Sequence, residues 1–201
     1  MLCDGIVPGA DPRPGEIVRF WFGEDLGSVP PELQKRWFAK TPAFDAELRT
    51  RFVEVFEDAV GGELEGWRYD TLGCLAFVIL LDQFPRNMFR DTARAFASDH
   101  LARAAARGAV SHGFDREVPP PTRAFFYLPF EHSEGLADQD ECLRLLGQWH
   151  GEPELARFAD FARRHREVIA RFGRFPHRNA ALGRETSAEE LEFLRKPGSA
   201  F

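Results

Sequence analysis

The stretch TLGCLAFVILLDQF, Thr71 to Phe84, is apolar on almost every side until Asp82 interrupts it near its end. A helix that is apolar all round has no face to give to water, so this segment is expected to form the central, buried helix of the molecule. Its apolar run, Leu72 to Leu81, is about half of the roughly 20 residues a membrane-spanning helix needs, and it stops at a carboxylate. No membrane partner is expected.

Outward from this helix the pattern stays helical. Apolar residues recur at three- and four-residue spacing, without the alternation and turn punctuation of strands. Residues 1–15 are rich in Gly and Pro and read as a flexible leader without the charged and apolar regions of a signal peptide, followed by one all-helical domain over 16–201. Glu16–Phe22 and Pro30–Ala39 read as short helices. Thr41-Pro42 marks the start of a longer one whose stripe is Phe44, Leu48, Phe52, Phe56 and Ala59, ended by Gly61-Gly62. After Thr71–Phe84 come Asp91–Ala109, Pro119–Leu128, Leu136–Trp149 and Glu152–Phe172. Ser187 with Glu190 forms a capping box before a last helix that Pro197-Gly198 stops. Short connections between helices favour antiparallel neighbours, hence stacked helical hairpins without a fixed repeat.

Composition narrows the function classes. The 201 residues suffice for one well-buried core, supplied with 20 phenylalanines and 4 tryptophans. A net charge of -6 argues against nucleic acid as a partner. Cys3, Cys74 and Cys142 fit neither a disulfide framework nor a metal motif, and this usage matches the reducing cytoplasm.

Three segments share a local grammar: Phe84-Pro85, Leu128-Pro129 and Phe175-Pro176 each place a large apolar residue before a proline, which disfavours helix at the preceding position. Each is expected to end a helix, and each is followed within four positions by polar groups: Arg86 and Asn87; Glu131, His132 and Ser133; His177, Arg178 and Asn179. In an up-down arrangement the three ends fall on one rim. Two readings of this rim stand side by side. Cations and asparagines suit helix C-termini whether or not anything binds. Asp82, however, lies where burial and the helix dipole both disfavour a carboxylate, so it needs cationic partners, for which Arg86, Arg90, Arg174 and Arg178 are candidates.

His165 falls on the apolar stripe Phe158, Phe161, Ile169, Phe172, where a histidine is ordinarily a hydrogen-bonded core residue. Between Arg163 and Arg184 there are seven arginines and one acid, Glu167, an asymmetry able to attract an anion. HExxH, P-loop, GxGxxG and GxSxG patterns are absent. No metal ligand is assigned, a set drawn from Glu131, His132, His165 and Asp82 being weak, and no cofactor is indicated. The simplest chemistry uses His132 or His165 as acid or base, Asp82 to orient it, and arginines to hold an anionic substrate.

The runs LLDQFPRNMFR, RAFFYLPFEHSE and RFGRFPHRNAALGRETSAEELEFL, in this order, together with FWFG, RWF and AFDAELRTRF upstream, closely resemble the bacterial family catalogued as domain of unknown function 924. The resemblance spans roughly Glu16 to the C-terminus. It implies an all-α, tetratricopeptide-like fold and no particular activity. Its motif positions fall on Asp82, Gln83, Arg86, Asn87, Tyr127, His132, Ser133, Glu134, His165, Arg174, His177, Arg178, Asn179 and Arg184; Glu131 stands where the family is often apolar. Two functions follow as expectations: binding of, or action on, a small anionic metabolite, or a helical scaffold that recognises an acidic peptide or protein.

Overall fold

A computed structural model describes residues 11–199. Among them nine α-helices and five 3₁₀ turns form the chain, with no strand. The helices are α1 (Arg13–Phe22), α2 (Pro31–Arg36), α3 (Pro42–Gly61), α4 (Thr71–Met88), α5 (Asp99–His112), α6 (Leu128–Glu131), α7 (Leu136–Gly147), α8 (Pro153–Phe172) and α9 (Ala188–Leu194). α1 starts at Arg13, inside the expected leader, whose first ten residues lie outside the described ones.

α4 is the hub. Fifteen of its eighteen residues are buried, and it packs against α1, α3 and α5, with further contacts to α6. α7 and α8 pair beside it. The Asp70 carboxylate accepts from Gly73 N–H at 2.8 Å and starts the helix. Gly73 is required there because a Cβ would run into the Trp67 carbonyl oxygen. The predicted α3 stripe, Phe44, Leu48, Phe52, Phe56 and Ala59, is buried throughout, with the Phe52 ring 5.0 Å from that of Phe84 on α4. Trp21, Phe22, Trp37 and Phe125 pack mainly edge to face over the second half, with the Trp37 and Phe125 rings 4.8 Å apart. Such pairs add about 0.5–1.5 kcal/mol each beyond the area they bury.

The proline grammar is corrected at all three places. α4 does not stop at Phe84; it runs through Pro85 to Met88. An internal proline removes the hydrogen bond to the carbonyl four residues back, here Leu81. Ser98, just before α5, replaces it: its buried Oγ–H donates to the Leu81 oxygen at 2.7 Å. The far end is held by Arg49 of α3, whose Nε donates to the Met88 carbonyl at 3.0 Å. Pro129 and Pro176 sit in first turns, where a missing N–H costs nothing, so they open α6 and the turn Pro176–Arg178 instead of closing helices. α8 ends at Gly173 in the left-handed conformation. The helix expected over Asp91–Ala109 begins only at Asp99, after a turn over Ala93–Phe96. Ser187 and Glu190 form the capping box. Cys74 and Cys142 are buried free thiols, and burial raises both, Cys74 to about 12. Cys3 lies outside the described residues.

Ser98→Ala strands the Leu81 carbonyl beside a proline that cannot serve it. The expected loss is about 1–3 kcal/mol of unfolding free energy, read as a lower urea midpoint at unchanged denaturant slope.

Candidate functional site

The three proline-containing segments converge although they do so without ending helices. Asp82, on the last turns of α4, is 1% exposed. Its Oδ1 accepts from His132 Nδ1 at 2.7 Å and from Arg86 Nη2 at 3.1 Å, and its Oδ2 accepts from Gln83 Nε2 at 2.6 Å. Arg86 Nη2 also donates to Asp99 Oδ1 at 2.8 Å, and Arg178 Nη1 to Asp99 Oδ2 at 3.2 Å. Arg178 Nη2 closes the ring on the His132 carbonyl at 3.0 Å. Its guanidinium lies over Phe96 and Phe175, 4.6 and 4.5 Å from the ring centres. Asp99 was not singled out by sequence. It is an ordinary first-turn acid of a helix, and its arginines lie 13 and 79 residues away.

This cluster floors a pocket of about 150 Å³ lined by His132, His165, Gln83 and Asn87, four cations (Lys40, Arg86, Arg90 and Arg178), and the segment Trp37–Ala39. No carboxylate lines it. Asp82 and Asp99 stand behind the wall, and Asp45 holds Arg90 from behind with two contacts of 2.9 Å. Lys40 alone of the four cations makes no ion pair among the described residues. Nε of both Arg86 and Arg178 is buried without an acceptor among the described residues.

Burial works against charge on Asp82, but His132 and Arg86 outweigh it and hold the carboxyl well below its usual range. His132 is lowered by burial and by Arg86, so its ring is neutral at pH 7 with the proton on Nδ1, where Asp82 needs a donor. Its Nε2 lone pair is thereby left as the acceptor. His165, on α8, has its ring centre 6.3 Å from that of His132. Its Nδ1 faces the Phe161 carbonyl at 2.9 Å, which fixes the same tautomer, and burial pushes it well below the usual histidine range. Behind it lies Glu131, with Oε1 3.3 Å from Nδ1 and Oε2 buried without a partner. Burial and the nearby Asp82 raise Glu131 to about 8, so it is a neutral acid at pH 7. Burial and Arg86 bring Arg178 to about 10, still cationic.

The remaining predicted site residues go elsewhere. Arg174 does not reach Asp82; it grips the buried Glu190 of the capping box at 2.6 and 2.9 Å. Arg184 makes a two-pronged bond to Glu134, at 2.7 and 3.0 Å, and its Nε donates to Asn179. Ser133 donates to Asp138 at 2.6 Å ahead of α7. The Tyr127 hydroxyl donates to Asp115 at 2.7 Å and accepts from Trp149 Nε1 at 2.9 Å, away from the pocket. His177 packs on Phe175, 5.6 Å between ring centres, without lining the pocket; burial and Arg178 take it down to about 3. Six of the seven arginines between Arg163 and Arg184 pair with acids. Arg163 pairs with Asp160, and Arg166 reaches Asp140. The excess of positive charge seen along that stretch is thus cancelled in space. Asp82 and Glu131 each stand behind an imidazole instead of beside it, and no group of three or more His, Cys, Asp or Glu among the described residues is arranged to hold a metal ion.

These features define an all-helical protein with a donor-lined pocket backed by buried acids. The chain belongs to the family described as "Bacterial protein of unknown function (DUF924)", whose pattern matches residues 17–198. A solved structure, "Structure of Protein of Unknown Function ATU0120 from Agrobacterium tumefaciens", is similar at 40% identity with a TM-score of 0.80, over 90% of this chain and 96% of that one. Nothing among curated proteins matches it. No helix among the described residues is long and apolar enough to cross a membrane.

Two substitutions test these assignments. Arg174→Ala releases Glu190, which that arginine holds at about 2. A depressed carboxyl stabilises the fold above its unfolded value of about 4.5 and loses that contribution as pH falls toward 2. The variant is expected to exchange α9 amides faster at pH 7 and to show less stability loss than wild type on acidification through this window. Glu131 has the opposite sign: its folded form keeps a proton that the unfolded chain releases near 4.5, so it erodes stability as pH rises toward 8. Glu131→Gln is expected to gain Tm over wild type progressively between about pH 5 and pH 8; a difference that stays flat with pH contradicts a protonated Glu131.

Proposed function

We propose that this pocket binds a small anionic molecule in the bacterial cytoplasm, with His132, oriented by Asp82, serving as acid or base toward it. The observation that carries this reading is the polarity of the wall: cations, amides and imidazoles face the pocket, and every balancing carboxylate lies behind it. Fixed donors aimed inward with their counter-charges outside favour a negative charge without reorganisation. The buried, acceptorless Nε groups of Arg86 and Arg178 support it, since buried donors are rarely left unmet. His132 supplies the chemistry: with Nδ1–H committed to Asp82, Nε2 is available to take a proton, and the imidazolium so formed is stabilised by the carboxylate behind it.

The other occupant class, an acidic peptide or protein, fits less well. The arginine-rich C-terminal stretch is already paired with the chain's own acids. The pocket holds about the volume of five waters, which suits a metabolite better than a peptide segment.

The test is a thermal-shift panel of small carboxylates and inorganic phosphate with their neutral amide or alcohol counterparts, followed by the His132 ring ¹⁵N resonances. At least one anion is expected to raise Tm with saturation, by about 2.7 kcal/mol of linkage at a hundred times its Kd, and to move the His132 Nε2 resonance, whereas neutral counterparts do neither. Failure of every anion to move either signal removes the proposal.

A further inference from the structure

The charges of the wall do not cancel completely, and the remainder specifies a ligand. Arg90 is matched by Asp45, and Arg86 and Arg178 are matched by Asp82 and Asp99. His132 and His165 are neutral at pH 7, being shifted down by burial. What is left on the wall is Lys40, an exposed residue in the connection between α2 and α3. The site therefore carries one positive charge in excess. The two residues before Lys40 that join Trp37 to it include Phe38, whose ring is 60% exposed and meets Phe158 edge-on at 6.4 Å. Trp37 itself is buried against Phe125 with a side toward the pocket. Cationic and aromatic groups thus reach the pocket from one short segment.

Resting on the anion-binding reading above, we propose that the ligand is a small monocarboxylate with an apolar or aromatic tail, its carboxylate held by Lys40 and its tail laid against Trp37 and Phe38. A dicarboxylate or a doubly ionised phosphate brings a second negative charge for which no unpaired cation remains, and in a partly enclosed site that charge is costly. A single carboxylate neutralises Lys40 and leaves the Arg86, Arg178 and Arg90 pairs intact. The aromatic surface of Phe38, open to solvent in the free protein, gains cover from a tail that a bare anion does not provide. Lysine is suited to this task as a point charge on a flexible stem, which a ligand can recruit without breaking an existing pair.

Isothermal titration of the full chain with phenylacetate, succinate, inorganic phosphate and phenylacetamide decides the matter. Phenylacetate is expected to bind, phenylacetamide to bind far more weakly, and succinate and phosphate to rank below phenylacetate. Lys40→Gln is expected to weaken phenylacetate by about tenfold, the size of a lost charge-assisted hydrogen bond. Phe38→Ala is expected to weaken it severalfold. Both side chains are exposed, so these variants keep the fold, which circular dichroism checks directly. Succinate or phosphate binding more tightly than phenylacetate overturns the monocarboxylate class while leaving an anion site in place. Phenylacetate binding that ignores Lys40→Gln overturns the anchor. Silence from all three anions overturns this inference, and the anion reading falls with it only where the wider panel is silent as well.

Discussion

The structure depends on one buried carboxylate. Asp82 sits in the most apolar helix of the chain, near the end where the helix dipole is negative, and every local factor argues for its neutralisation. It stays ionised because His132, Arg86 and Gln83 all donate to it. Through Arg86 the charge passes to Asp99, from Asp99 to Arg178, and from Arg178 back to the His132 backbone. α4, the start of α5, the end of α6 and the turn after α8 are thereby tied at one point. A buried network of this kind is a poor source of net stability, because desolvating the ions offsets much of their attraction. What it supplies is geometry: each member is costly to leave unpaired, so the segments have few alternative placements.

The sequence made the central helix and the meeting of three segments legible, for different physical reasons. Thr71–Phe84 is apolar beyond what any surface helix tolerates, and that inference needs no knowledge of neighbours. Of the polar groups that follow the three prolines, Arg86, Asn87, His132 and Arg178 meet at one pocket, while Ser133, His177 and Asn179 do not line it, and none of the prolines ends a helix. The rule that residues before proline leave the helix is a local steric preference, which the fold overrides at Pro85, with a tertiary hydrogen bond from Ser98 satisfying the Leu81 carbonyl that the proline cannot serve. Nothing near Pro85 announces a serine 13 positions downstream with its hydroxyl directed at Leu81. Pro129 and Pro176 illustrate the opposite use of the residue, as first-turn starters.

Which arginines reach the pocket was not legible, because a guanidinium on a long stem takes whichever acid the fold brings near. Arg174 and Arg178 are four residues apart in a single motif. One serves the capping box through Glu190, and the other serves Asp99. The capping box itself was visible as a four-residue pattern; that its glutamate is also buried, and so in need of a cation, depends on α9 docking. Lys40 escaped notice for a related reason: its meaning lies in having no acid beside it, a property of the assembled wall.

The two imidazoles show how one fold sets unlike proton affinities side by side. His132 is backed by a carboxylate that is ionised, and His165 by one that burial keeps protonated. Protonating His132 creates a cation against an anion, which the Asp82 side favours and the Arg86 charge resists. Protonating His165 creates a cation in an apolar stripe, beside a neutral acid 3.3 Å from its Nδ1. Of the two rings, the first is the one better placed to gain a proton, and the second stays neutral. Under the anion-binding proposal, an arriving negative charge would raise the basicity of His132 as it binds, coupling occupancy to proton-accepting power.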